Sequence, residues 1–380
     1  MFKEALEKVC QPVTVANGLP NEFYTDPEVF EREKQLLFAD TWACIGFAKD
    51  VPEPGDALPL EFVGRPVLAV RGNDRAIKVF DNVCRHRGMI LIDKPTKVRG
   101  TIRCPYHSWC YELDGRLRST PHVGGAGVNS HECIKKDELG LMEIRSHVFM
   151  DMIFVNLSGT APDFETHIAK LSKRWGEFVD RPLFHGGPES SFSLELDTNW
   201  KLAVENYCES YHLPWVHPGL NSYSKIEDHY NIVEPGIFAG QGTTVYNPQI
   251  NGSKARFPDF DRLSQKWDQG AEYIALFPNV LLGVHRDHYF SILLNPVAHN
   301  RTIEQVEIYY TSPQVQDESW SKARREAADM WLEVFREDID VVEGMQRGRA
   351  APTFDGGRFS PVLDEATHCF HHWTAIKFQT

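Results

Sequence analysis

The 380-residue sequence is short of positive charge: 40 Lys and Arg face 53 Asp and Glu, a net charge of −13. That deficit argues against nucleic acid or an anionic membrane surface as a partner. Cysteine is sparse as well. Six of the eight cysteines (Cys10, Cys44, Cys110, Cys133, Cys208 and Cys369) are scattered, without the dense framework of a secreted disulfide scaffold, and are expected to be reduced. No uninterrupted apolar run approaches the length of a membrane span, and Met1-Phe2-Lys3-Glu4 opens the chain without the apolar stretch of a signal peptide. A cytoplasmic location is therefore expected. No G-x-G-x-x-G or flavin-binding motif is evident, so NAD(P)H would have to act through a separate protein.

What is present centres on Cys84-Arg85-His86 and, seventeen residues later, Cys104-Pro105-Tyr106-His107. A C-x-H…C-x-x-H arrangement suits a two-iron cluster with unequal ends: thiolates hold one iron, neutral imidazoles the other, and the His pair raises the potential. Four N and S donors also suit tetrahedral Zn²⁺, although zinc sites usually pair C-x-x-C with C-x-x-C or two histidines rather than two interleaved Cys/His pairs.

Composition and punctuation divide the chain into three parts. Residues 1–40 read as an N-terminal arm, with a helix capped by Asp26 and started by Pro27. Residues 41–160 show short strands, among them Trp42–Phe47, Val67–Val70, Ile77–Asn82 and Met152–Leu157, with a turn at Gly72-Asn73-Asp74 and another at Asp114-Gly115. This predicts an all-β domain with both Cys/His loops at its tips. A boundary follows near Gly159–Pro188. Residues 161–380 mix strands (Ser190–Leu196, Tyr273–Val284, Tyr289–Leu294, Ile303–Thr311) with helices (Trp200–Tyr211, Trp320–Met345), which predicts an α+β domain of antiparallel sheet and helices.

A second metal site is suggested by Glu205-Asn206-Tyr207-Cys208-Glu209-Ser210-Tyr211-His212 and, five residues on, His217. Two imidazoles and one carboxylate on one face of an octahedron bind Fe(II) and leave positions open. Leu213-Pro214 is expected to break the helix after His212 and swing His217 back. Asp338 is the candidate carboxylate: it lies within a turn of the apolar stripe Leu332, Phe335, Ile339 and Val342, whereas Glu337 and Asp340 read as a solvated face.

The loops Cys84-Arg85-His86-Arg87-Gly88 and Cys104-Pro105-Tyr106-His107-Ser108-Trp109, the run Asn199-Trp200-Lys201…Glu205-Asn206…Glu209-x-Tyr211-His212…His217, and the segment Glu337–Gly348 together resemble the α subunit of a Rieske non-haem iron oxygenase, of the ring-hydroxylating superfamily. The resemblance implies a Rieske β domain followed by a helix-grip catalytic domain. Cys84, His86, Cys104 and His107 would hold [2Fe–2S], and His212, His217 and Asp338 a mononuclear iron. Glu209 and Asn206 would stand at the reaction centre. It also implies a head-to-tail ring, commonly a trimer, in which electrons pass from one protomer's cluster to its neighbour's iron. A separate NAD(P)H-dependent reductase supplies them, with O₂ and a small molecule as substrates. Where the family usually places Asp as the bridge between these centres, this chain has Glu209, as in the carnitine and betaine oxygenase group; an Asp-to-Glu exchange can equally be neutral.

For the substrate, a quaternary ammonium compound is the leading expectation, with an arene or aryl ether as the alternative and a plain Rieske electron carrier as the non-enzyme reading. Tyr207, Trp215, Phe277 and Tyr289, with Tyr211, Tyr223 and Phe290, are candidates for an aromatic lining. Arg286 and Asp287 are candidates for fixing a carboxylate and an ammonium. Lys94, Lys97, Arg99, Lys135 and Lys136 are candidates for a reductase-docking patch.

Overall fold

The computed structural model describes residues 2–246 and 257–379. The chain divides into two compact units, one formed by Ala39–Ala161 and the other by Met1–Phe38 with Pro162–Thr380.

The first unit is built from β-strands. Seven antiparallel strands run in the spatial order Ala43–Phe47, Met152–Asn156, Glu143–Phe149, Ile77–Asp81, Arg65–Arg71, Asp56–Phe62 and Thr96–Lys97, beside a smaller sheet of Ile102–Arg103, Cys110–Tyr111 and Leu117–Ser119. Val67 to Val70 are all buried, so that strand is covered on both faces, which suits its unbroken β-branched and aliphatic run. At the Asp114-Gly115 turn only glycine fits: φ is +88°, and a Cβ there would stand 2.5 Å from the Phe80 ring. Phe80 belongs to a core with Leu68, Val70, Ile102, Trp109 and Tyr111 that also takes in Cys84 and Cys104.

The second unit carries an antiparallel sheet in the order Phe184–His185, Arg301–Tyr310, His288–Ala298, Val280–Val284, Ala271–Leu276, Phe238–Thr243 and His229–Glu234, with Ser191–Leu196 also paired to Arg301–Tyr310. The helices Trp200–Cys208 and Glu365–Gln379 pack against it. Four boundaries differ from expectation. The apolar run Tyr273–Val284 is a hairpin, Leu276 pairing with Val280, because Pro278 has no N–H to continue a ladder. The helix from Trp200 stops at Cys208, since Glu209 is already extended (φ −125°, ψ 160°). Pro214 does not end a helix but sits in the first turn of a new one, Leu213–Val216, where its missing N–H costs nothing. The long C-terminal helix is two, Ser321–Glu337 and Ile339–Gly348, meeting at Asp338.

The Asn199-Trp200-Lys201 motif has a packing role. Asn199 caps the helix by accepting from the Lys201 N–H at 3.0 Å. Trp200 Nε1 donates to Glu33 Oε2 at 2.9 Å and Lys201 Nζ to Glu33 Oε1 at 2.5 Å, tying the arm helix Pro27–Glu33 to this unit. Both members of the ion pair are fully buried. Removing one leaves the other charged and unpaired, so Lys201→Met is expected to cost about 3–5 kcal/mol. Denaturant unfolding checks this; a loss under about 1 kcal/mol, the scale of a surface pair, would contradict it.

Candidate metal centres and substrate cavity

The two Cys/His loops are built alike. The Gly88 N–H returns to the Cys84 carbonyl at 3.1 Å and the Ser108 N–H to the Cys104 carbonyl at 3.0 Å. Gly88 and Ser108 both take positive φ (+74° and +58°) to close the turns. Cys84 and Cys104 are buried, and burial pushes the Cys84 thiol up despite the Tyr111 hydroxyl 3.2 Å from its sulfur. His86 is stacked on Trp109 (4.8 Å, 11°), and its ring lies 4.6 Å from that of His107. His107 Nδ1 is buried with no hydrogen-bond partner, an arrangement that a metal bond would satisfy. Two thiols and two imidazoles on paired loops suit a group with two metal atoms, thiolates on one and imidazoles on the other.

Among the described residues one set of three ligand atoms does converge, those of His212, His217 and Asp338, all within 4.8 Å of one another. Glu209, just past the helix end, folds back to accept the Tyr211 N–H and, at 3.2 Å, the His212 N–H. Its Oε1 stands 2.6 Å from His212 Nδ1. His217 Nδ1 is likewise 2.7 Å from Glu337 Oε2. A carboxylate only accepts, so each Nδ1 carries a proton, and Nε2 is the atom left on each ring to meet a metal, which would replace any proton there. Both Nε2 atoms face Asp338 Oδ1, at 3.7 Å from His212 and 3.0 Å from His217. Burial disfavours charge on His217, but Asp338 and Glu337 outweigh it and hold its pKa above the usual range. Asp338 reaches inward because it occupies the junction of two helices, and Asn206 Nδ2 donates to its Oδ1 at 3.2 Å. Two imidazoles and a carboxylate, with their outer atoms held, form a donor set that fits Fe(II).

Glu337 is exposed, as expected of a solvated face, but its carboxylate also orients His217. Because its side chain is 36% exposed, water can partly replace it. Glu337→Ala is expected to weaken iron binding about tenfold, read by metal titration, with the cluster spectrum unchanged. Undiminished affinity would contradict the role.

Beside the triad opens a small cavity that has all three ligands in its lining. Tyr207, Tyr273, Phe290, Trp331 and Phe335 give it aromatic walls, and Asn206, Ser224, His229 and Gln241 supply polar atoms. Of the expected lining residues Tyr207 and Phe290 are there, but Tyr211, Trp215, Tyr223, Phe277 and Tyr289 are not. Trp215 is 71% exposed. Phe277 lies beyond its strand and packs on Phe370 and Trp373. Tyr289 precedes Phe290 on one strand, so alternation that turns Phe290 into the cavity turns Tyr289 toward Tyr309. Arg286 is held by Asp259 and Asp268, and Asp287 by His288, so neither clamps a ligand. Tyr273, Trp331, His229 and Gln241 were not anticipated; only strand register and helix phase, once known, single them out.

Comparison with known proteins fits this geometry. Residues 187–379, just over half of the chain, match the family model described as "Ring hydroxylating alpha subunit (catalytic domain)", and residues 41–132 match the Rieske [2Fe-2S] domain. The carnitine monooxygenase oxygenase subunit of Acinetobacter baumannii is 26% identical, with 98% of each chain covered. A crystal structure of a quaternary ammonium Rieske monooxygenase in complex with an inhibitor aligns at 24% identity, TM-score 0.78, covering 98% of each chain. Naphthalene 1,2-dioxygenase from Rhodococcus sp. aligns at 18% identity and TM-score 0.77, covering 100% of this chain and 96% of the other, so the shared fold does not discriminate between substrates. No helix among the described residues is long and apolar enough to cross a membrane. The chain belongs to the ring-hydroxylating oxygenase α-subunit family: it is a Rieske oxygenase, an oxidoreductase with an N-terminal [2Fe–2S] domain and a C-terminal mononuclear-iron catalytic domain.

Proposed function

We propose that this protein is the oxygenase component that hydroxylates a small quaternary ammonium compound of the betaine type, with N-demethylation or C–N cleavage as the result. The carrying observation is the cavity itself: aromatic rings face the His212–His217–Asp338 triad at its edge. Ring faces hold a trimethylammonium group, and a C–H bond of that group then lies against the iron site. The relatives of carnitine monooxygenase type support this choice.

Cys84, His86, Cys104 and His107 would hold the cluster, and His212, His217 and Asp338 the iron. When bound, these groups supply two electrons to O₂, so that R–H, O₂, two electrons and two protons give R–OH and water. Hydroxylation of an N-methyl group gives a carbinolamine, which loses formaldehyde. The chain's own residues do the rest. Glu209 and Glu337 keep Nδ1 of each histidine protonated, Asn206 steadies Asp338, and the aromatic walls exclude water.

Electrons come, on this reading, from a separate NAD(P)H-dependent reductase in the cytoplasm and cross between protomers of a head-to-tail ring, commonly a trimer. Tyr211 and Trp215, exposed beside Glu209, and the exposed His86 and Tyr106 on the cluster loops are suited to that contact. In the reductase-docking patch, Lys97 pairs with Asp56, Lys135 with Glu138, and Lys136 donates to the Arg118 carbonyl, which leaves Lys94 and Arg99 as its most available charges.

An arene or aryl-ether substrate is the second reading, favoured by the absence of Arg and Lys among the described lining residues. Substrate-dependent O₂ uptake with carnitine, glycine betaine, proline betaine and simple arenes decides. Stimulation by a quaternary ammonium compound is the expected result; stimulation by arenes alone would overturn the proposal.

A further inference from the structure

One polar wall of the cavity is a directed hydrogen-bond chain. Ser224 Oγ lies 2.9 Å from His229 Nε2, and His229 Nδ1 lies 2.7 Å from Gln241 Oε1. Gln241 Nε2 donates to the backbone carbonyl of Glu209 at 3.0 Å. The two ends of the Gln241 amide set the polarity. Its oxygen accepts, so His229 donates to it from Nδ1. Ser224 Oγ donates to Thr243 Oγ1 at 3.1 Å, whose own proton goes to the Val245 carbonyl. Burial lowers the pKa of His229.

The chain is placed by strand pairing. His229 and Gln241 lie on the antiparallel neighbours His229–Glu234 and Phe238–Thr243, where His229 is opposite Thr243, so the imidazole reaches diagonally to Gln241. Ser224, His229 and Gln241 all line the cavity, whereas Glu209 does not. The Glu209 carbonyl belongs to an extended residue just past a helix end, where backbone groups need an outside partner. Gln241 is that partner. Rotation of the Glu209 peptide would carry with it the carboxylate that holds His212 Nδ1 and the His212 N–H.

We propose that Gln241 and His229 are positioning residues that tie the placement of Glu209 to the occupancy of the cavity. A substrate seated against Ser224 and His229 displaces water from this wall. Each bond of the chain then strengthens in the drier surroundings, and Glu209 is fixed against His212. The inference rests on the proposed role of Glu209 as the bridge between centres. It adds a route by which substrate prepares that bridge before electrons arrive.

Gln241→Met keeps the size of the side chain and removes both hydrogen bonds. In the metal-free full-length protein, amide hydrogen exchange of the Tyr211 and His212 N–H groups is expected to rise about tenfold, since the Glu209 carboxylate that accepts them is loosened, while the helix Glu365–Gln379 is unchanged. Unchanged exchange at these two amides would overturn the proposal. In the loaded holoenzyme, single-turnover oxidation of the reduced cluster by O₂ is measured with and without saturating probe. The probe is whichever of carnitine, glycine betaine and proline betaine accelerates the wild type most. The ratio of the two rates is expected to fall about tenfold in Gln241→Met. A wild-type-like ratio would sink this inference alone. A wild type that responds to none of the probes would sink the substrate reading, and this inference with it.

Discussion

His212→Ala is expected to abolish product formation while leaving the visible spectrum of the cluster intact. The three ligand atoms lie within 4.8 Å of one another, so one missing imidazole leaves only His217 and Asp338 to hold the ion. The cluster residues belong to the other unit, and nothing in their loops depends on His212. Iron content should fall by about one atom in three per chain. Product yield, absorbance and iron analysis measured on one preparation check this. Retained turnover would remove His212 from the iron site.

Glu209→Gln is expected to keep both metals yet slow substrate-triggered oxidation of the cluster on the order of 100-fold. The substitution is nearly isosteric, so an amide oxygen can still accept from His212 Nδ1. What is lost is the negative charge proposed to couple His212 to a neighbour's imidazole. Glu337→Ala, by contrast, touches only one ligand at a half-open position and is expected to act on metal affinity instead. Single-turnover rates close to the wild type in Glu209→Gln would deny the bridging role while leaving the ligand assignment untouched.

Much of this was legible before any coordinates. The Cys/His spacing names its own chemistry, and Asp338 could be picked out because it borders an apolar stripe within an acidic run. The same run did not show the second role of Glu337. Helix phase alone cannot show that the helix ends there, which turns both consecutive acids toward one site. The run Tyr273–Val284 looked like one strand because apolar content does not record where a chain reverses; Pro278 was the only local sign. Trp215, Phe277 and Tyr289 were chosen for residue type, but orientation decided against them. Tyr289 and Phe290 differ by one step of strand alternation, and that step separates a core residue from a cavity wall. The polar wall of His229 and Gln241 rests on the register of two strands that show no strong pattern of their own.

Electrons are proposed to pass from one protomer's cluster to another's iron, and mixed rings test this most directly. A Cys84→Ser variant lacks a cluster ligand and an Asp338→Ala variant lacks an iron ligand, so each alone should be inactive. Co-assembled in equal amounts, they should recover about a quarter of wild-type turnover, since half of the protomers keep the iron site and half of those adjoin an intact cluster. Mixed rings that assemble, carry both metals and remain inactive would contradict the account.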